Sequence, residues 1–198
     1  KRPPSGESIE DRDPAVNTRE EFGHWEMDLV IGSKSGEDVI LSLTERKTRF
    51  QLLRLIRRKG EDVGRILDSF EFGLKSNFST IFKTVTVDNG AEFRDYYSLR
   101  KSVFSIDSRL RIFYCHPYSS YERGSNEVQH RLLRRFSPKH QKISLSAKEL
   151  KSIQRWMNNY PRKMFGWENS HRRFLYEINN LGIKLSHTIK QIFAVDDS

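Results

Sequence analysis

His24-Trp25-Glu26-Met27-Asp28-Leu29-Val30-Ile31, then Gly-Ser-Lys-Ser-Gly over 32–36, then Asp38-Val39-Ile40-Leu41-Ser42-Leu43, is the stretch that decides the fold. Both apolar runs are short and rich in Val, Ile, Leu and aromatic residues, which suit a pleated, half-buried surface. The glycine-bounded polar loop between them is what a hairpin requires. A third run, Phe50–Ile56, follows through Glu45-Arg46-Lys47-Thr48, so three antiparallel strands are expected. Working outward, Glu61–Ser76 carries Val63, Ile66, Leu67, Phe70 and Leu74 at helical spacing. Phe82–Val87 reads as a fourth strand ending at Asp88, Glu92–Val103 as a short helix with a loop, and Leu110–Cys115 as a fifth strand. A polar turn with Pro117 and Gly124 leads into a helix from Asn126 to Phe136, and Ser146–Asn159 and Asn169–Asn180 give two more.

Three strands, then helix, strand, helix, strand, helix, is the order of an RNase H-like core. The expected fold is therefore α/β, with a mixed five-stranded sheet and flanking helices. Residues 1–21, with three prolines, many charges and few large apolar groups, read as an N-terminal linker or arm. The start Lys-Arg-Pro-Pro looks like the trimmed edge of a longer protein. Residues 22–180 form the core domain. Residues 181–198 are a tail in which Leu185, Ile189, Ile192 and Phe193 fall on one helical stripe, a packing or dimerisation element.

The chain has 198 residues, with Lys+Arg 35 against Asp+Glu 26, a net charge of +9. That excess favours a polyanionic partner, most often nucleic acid. One cysteine, Cys115, excludes an intrachain disulfide. No apolar run approaches the roughly 18 residues of a membrane span, and the N-terminus is too charged for a signal peptide.

Against this basic background three acidic motifs stand in order. They are His24-Trp25-Glu26-Met27-Asp28, then Thr86-Val87-Asp88-Asn89-Gly90-Ala91-Glu92-Phe93, then Pro117-Tyr118-Ser119-Ser120-Tyr121-Glu122-Arg123-Gly124-Ser125-Asn126-Glu127. Asp28 interrupts an apolar run, where a carboxylate is costly unless it meets a cation. Its plainer reading is an exposed place on an edge strand. Asp88 ends a strand and opens Asp-Asn-Gly, which also suits an ordinary turn. The third acid is Glu127 or Glu122. On a helix at about 100° per residue, Glu127 shares a face with His130, Arg131 and Arg134, opposite Val128, Leu132, Leu133 and Phe136. Carboxylates far apart in a basic chain suggest oxygen ligands for magnesium, which needs few of them and completes its shell with water and phosphate. The basic run supplies candidate phosphate contacts at Arg123, His130, Arg131, Arg134, Arg135 and Lys139.

These motifs, with Leu43-Thr44-Glu45-Arg46-Lys47-Thr48-Arg49, Leu132-Leu133-Arg134-Arg135-Phe136-Ser137-Pro138-Lys139 and Asn158-Asn159-Tyr160-Pro161-Arg162-Lys163, carry a family resemblance over residues 20–175. The chain resembles bacterial insertion-sequence transposases with an integrase-type catalytic core, and closely the insertion-sequence-thirty group. The resemblance implies a DDE transposase whose catalytic and metal-binding acids are Asp28, Asp88 and Glu127. It favours Glu127 over Glu122, because integrase cores place their Glu three residues after a Gly. It implies two Mg²⁺ (or Mn²⁺) ions per site, cleavage at transposon ends and 3′-hydroxyl strand transfer. DNA is the expected partner, a homodimer or higher oligomer the expected assembly, and the bacterial cytoplasm, at the nucleoid, the expected location. Rival readings are a metal-dependent nuclease without strand transfer and a non-catalytic DNA-binding module.

Overall fold

The computed structural model describes residues 6–33, 38–57, 63–117 and 119–195. Its centre is one six-stranded sheet: β1 (Glu7–Ser8), β2 (His24–Ile31), β3 (Asp38–Glu45), β4 (Gln51–Arg57), β5 (Thr84–Val87) and β6 (Arg111–Tyr114). The order across the sheet is β1-β6-β5-β2-β3-β4. β2, β3 and β4 form the expected antiparallel meander, and β5 and β6 run parallel to β2 and to each other. The turn residues 34–37 of the first hairpin lie outside the described residues, as do Glu61 and Asp62 at the start of the first helix.

Register sorts the side chains. Met27 pairs with Leu43, and Leu29 with Leu41; Val85 pairs with Ile112. All of these except half-buried Leu29 are fully buried in the larger apolar core, and Leu29 packs against it. That core is closed by α1 (Val63–Leu74) and α2 (Phe78–Ile81), and by Phe174 and Ile178 of α6 (Ser170–Asn180). The opposite face carries Glu26, Asp28 and Val30, covered by α4 (Gly124–Leu133) and α5 (Ala147–Asn159) over a smaller core of Val30, Ile40, Leu53, Leu132, Leu133, Ile153 and Met157. Helices α5 and α6 begin where their caps dictate, with Ser146 accepting the N–H of Glu149 and Asn169 that of Arg172. Among the described residues no helix is long and apolar enough to cross a membrane.

Two expectations change. The sheet has six strands, not five, because the N-terminal segment read as an arm lies along the core. β1 pairs in parallel with β6, Val16 is buried, and Arg12 donates to Thr86 Oγ1 at 2.8 Å. A two-residue polar strand has no periodicity to announce it. The short helix with a loop expected over Glu92–Val103 is a 3-10 turn at Ala91–Phe93 followed by a short α3 (Tyr96–Arg100). The tail, read as a packing or dimerisation element, packs back as α7 (His187–Phe193), with Ile189, Phe193 and Val195 in the larger core. Gly73 lets α7 come this close, since a Cβ there would lie 2.6 Å from Ile192 Cδ1. Two carbonyls of the stripe itself are also taken: Arg54 donates to that of Ile192 and Gln154 to that of Phe193. The apolar stripe is thus docked on its own domain.

The second change is the phase of α4. Val128 and Phe136, expected inward, are exposed, and the buried positions are Ser125, Asn126, Gln129, Leu132 and Leu133. Polar residues hold the N-terminal half of this helix down, so an apolar wheel misplaces its inner face. On the far edge of the sheet, α5 supplies a similar polar contact. Asn158 Oδ1 accepts the N–H of Gln51 at 2.8 Å, its Nδ2 donates to the Gln51 carbonyl at 2.9 Å, and Gln154 Oε1 accepts the N–H of Leu53 at 2.9 Å.

Candidate active site

Parity within the strands brings two of the three acids together. Glu26 pairs with Thr86 in the parallel β2–β5 ladder. Asp28 and Asp88 each stand two residues further on, hence on the same sheet face at the same level. Each carboxylate is tied by one oxygen to a local N–H. Asp28 Oδ1 accepts from Leu29 at 2.8 Å, and Asp88 Oδ1 from Gly90 at 2.8 Å. Gly90 is needed for the second bond, since a Cβ there would lie 2.8 Å from Asp88 Oδ1. The two Oδ2 atoms meet one cation, the Arg123 guanidinium, at 2.8 Å from Asp28 and 3.1 Å from Asp88. Arg123, read from sequence as a phosphate contact, is therefore engaged inside the protein.

The setting strains Asp28 electrostatically. Burial pushes its carboxyl up to about 6, Arg123 opposes that, and the charge of Asp88 adds to it. His130 lies over the same carboxylate, Nδ1 to Oδ2 3.9 Å, with Nε2 at 3.3 Å from Ser42 Oγ. Burial, with the charges of Arg123 and Arg134, pushes the His130 imidazole down to about 4. It is neutral at physiological pH, so its approach to Asp28 is not an ion pair.

Glu127 stands in the first turn of α4, between Arg123 at the N-cap and His130 one turn on. Those two neighbours both reach Asp28. Glu127 itself is exposed, and among the described residues no three His, Cys, Asp or Glu side chains gather closely enough to hold a metal ion. The two aspartate oxygens that share the Arg123 charge are hard donors of the kind a divalent cation takes, and Glu127 is not brought up to them. Glu122 is spent elsewhere. It accepts the His116 N–H at 2.9 Å and faces His116 Nδ1 at 2.8 Å.

What fixes α4 over the aspartates went unseen in the sequence. Glu26, in the first motif, accepts the N–H of Asn126 at 3.0 Å and pairs with Arg46 at 2.7 Å. Arg49 donates to Ser125 Oγ at 2.7 Å, and its carbonyl accepts from Gln129 Nε2 at 2.9 Å. Arg162 reaches Gln129 Oε1 at 3.1 Å and Ser170 Oγ at 2.8 Å. Glu45 closes the β3–β4 turn, accepting the N–H of Thr48 at 2.6 Å and of Gly23 at 3.2 Å. The Thr-Glu-Arg-Lys-Thr-Arg segment and Arg162 are thus the mount of the third acid's helix. Both segments stand among those that carry the family resemblance, but their sequence alone does not tell that they brace this helix.

The remaining basic positions divide. Arg134 is half-buried and donates to the carbonyls of Ile31 at 2.9 Å and Ser137 at 3.3 Å, so it secures the end of α4. Arg131, Arg135 and Lys139 are exposed.

A six-stranded mixed sheet with helices packed on both faces is the integrase-type architecture. The fold superposes on a chain from the simian T-cell lymphotropic virus intasome in complex with PP2A regulatory subunit B56 gamma. The TM-score is 0.52 at 11% identity, over 74% of this chain and 52% of that one. In sequence the chain is similar to insertion-sequence transposases. It is 36% identical over 172 residues to a probable transposase for insertion-like sequence element IS1161 of Streptococcus salivarius, covering 85% of this chain and 46% of that protein. It is 30% identical over 178 residues to the transposase for insertion sequence element IS4351 of Bacteroides fragilis, covering 89% and 52%. It is 30% identical over 160 residues to transposase InsI for insertion sequence element IS30A of Escherichia coli K12, covering 80% and 39%. The chain spans about half the length of the curated relatives it matches. No family model matches it. The likeness to transposases of the insertion-sequence-thirty group and related elements holds over most of the chain.

Proposed function

We propose that this chain is the catalytic core of a DDE-type DNA transposase that cleaves transposon ends and joins the freed 3′-hydroxyl to target DNA. The observation that carries the reading is the convergence of Asp28 Oδ2 and Asp88 Oδ2 on one cation beneath the helix that bears Glu127. Asp28, Asp88 and Glu127 would hold Mg²⁺ or Mn²⁺, two ions per site. Bound there, such ions supply a nucleophile at neutral pH and stabilise the leaving oxygen of an in-line displacement. The chain's own residues do the orienting. The Leu29 and Gly90 N–H groups fix one oxygen of each aspartate, leaving the other directed into the site. The Glu26–Arg46 pair and Arg49 fix the start of α4. Neutral His130 lies over Asp28 without adding a competing positive charge. Exposed Arg131, Arg135 and Lys139 offer phosphate contacts that position DNA without reading its sequence. The active complex is a homodimer or higher oligomer on DNA at the bacterial nucleoid.

The test is a strand-transfer assay of the complete protein with Mg²⁺ or Mn²⁺ and a pre-cut end. Joined products that vanish in Asp88→Asn, with folding intact, are expected. Hydrolysis without joining would point to a nuclease. Failure of both reactions, with DNA binding retained, would point to a non-catalytic module.

A further inference from the structure

Two carboxylates that face each other in a half-buried site cannot both stay charged without a positive group between them. Here that group is Arg123, whose side chain is 11% exposed. The contact is electrostatic more than directional. Nη1 lies 2.8 Å from Asp28 Oδ2 without hydrogen-bond alignment, and Nε, also buried, has no acceptor among the described residues. On leaving, Arg123 gives up one side-chain hydrogen bond among the described residues, from Nη2 to Asp88 Oδ2 at 3.1 Å. Its backbone also permits departure. It joins the 3-10 turn Ser120–Arg123 to α4 with non-helical dihedrals, φ −118° and ψ 40°. The next residue, Gly124, is nearly open on its side-chain face, with only Arg19 Nη2 at 4.0 Å from a Cβ placed there. Meanwhile α4 is pinned one residue later through Ser125, Asn126 and Gln129. The side chain can swing out while the helix stays.

A divalent cation would take the same two Oδ2 atoms that the guanidinium holds, and they cannot serve both. On the reading that Asp28 and Asp88 are cation ligands, we infer that Arg123 is a built-in counter-cation, which holds the acid pair together until a divalent ion displaces it. The site is then assembled before the ion arrives, and ion affinity is set by competition with a residue of the same chain.

Calorimetric titration of this chain with Mn²⁺, without nucleic acid, tests this through binding alone. Arg123→Gln should bind Mn²⁺ more tightly than the parent by roughly ten-fold or more, the scale of the 1–3 unit shifts that an adjacent opposite charge causes. Arg123→Lys, which keeps the charge, should stay near the parent. Equal or weaker binding by Arg123→Gln overturns the competition while leaving the ligand assignment standing. Parent binding that Asp28→Asn does not weaken overturns the ligand assignment and the competition with it. Should Arg123→Gln not fold, Mg²⁺ titration of the ¹⁵N-labelled parent decides: the Arg123 Nε–Hε resonance should move to a solvent-exposed position. A resonance that stays in place at saturating Mg²⁺ overturns the inference.

Discussion

Arg46→Met is the most informative single change outside the acids. Glu26 is completely buried at its side chain and Arg46 is 4% exposed, and their contact is 2.7 Å. The second oxygen of Glu26 holds the Asn126 N–H. Methionine keeps the apolar stem and removes the charge, leaving a carboxylate in the interior without its nearest cation. Removing one partner of such a pair costs about 3–5 kcal/mol. At about 2–4 °C per kcal/mol for a chain of this size, the melting temperature should fall by roughly 6–20 °C. Adding Glu26→Leu should restore much of the loss, because the stranded charge is gone. Urea unfolding at unchanged m-value, with calorimetry alongside, measures both. Arg46→Met within about 1 kcal/mol of the parent, the range of an ordinary surface change, would refute the argument.

Three further outcomes follow from particular contacts. Burial lowers the His24 pKa from 6.5, with Glu21 opposing, so the folded state favours the neutral ring and stability is lost as pH falls below about 6.5. Melts at pH 7.5 and 5.5 should show a larger acid loss in the parent than in His24→Gln, and parallel curves would exclude it. Phe193→Ala should cost about 3–5 kcal/mol by urea unfolding, because the ring is fully buried against Phe174 and Phe50; sedimentation should show no change in oligomeric state. Arg131→Ala should weaken DNA binding and reduce the slope of log affinity against log salt by about 1, whereas Arg134→Ala should chiefly lower the melting temperature. A reversed pattern in salt-titrated binding and melting would show that the two arginines have been misassigned.

The strands of the meander were legible to within a residue or two, because the apolar runs of β2, β3 and β4 sit on a sheet buried on both faces. α5 and α6 were legible because Ser146 and Asn169 cap them by chemistry local in sequence. That Asp28 and Asp88 share a face follows from strand parity once the parallel pairing is known, but the pairing itself is non-local. The inner face of α4 was not legible. Its buried Ser125, Asn126 and Gln129 are matched by Glu26, Arg49 and Arg162, partners far away in sequence that no helical wheel contains. The place of Arg123 was not legible for a related reason. A basic residue beside an acidic motif reads equally as a phosphate contact or as an internal counter-charge, and only the position of two aspartates decides. The tail's stripe was visible, yet nothing in the sequence said that the surface it covers belongs to the same chain.

The carboxamides that α5 lays against β4 have a consequence for how copies of this chain can meet. An outer strand offers unpaired N–H and C=O groups to any extended segment that drifts by, and such edges seed aggregation. Here Asn158 and Gln154, one helical turn apart, imitate the missing neighbour at Gln51 and Leu53, satisfying the backbone with side chains that no foreign strand can replace without evicting a helix. The opposite border ends in β1, two residues long and too short a template for strand addition. Copies of this chain that meet are thereby kept from joining through shared sheets, and any contact between them is left to side-chain surfaces that can form and come apart.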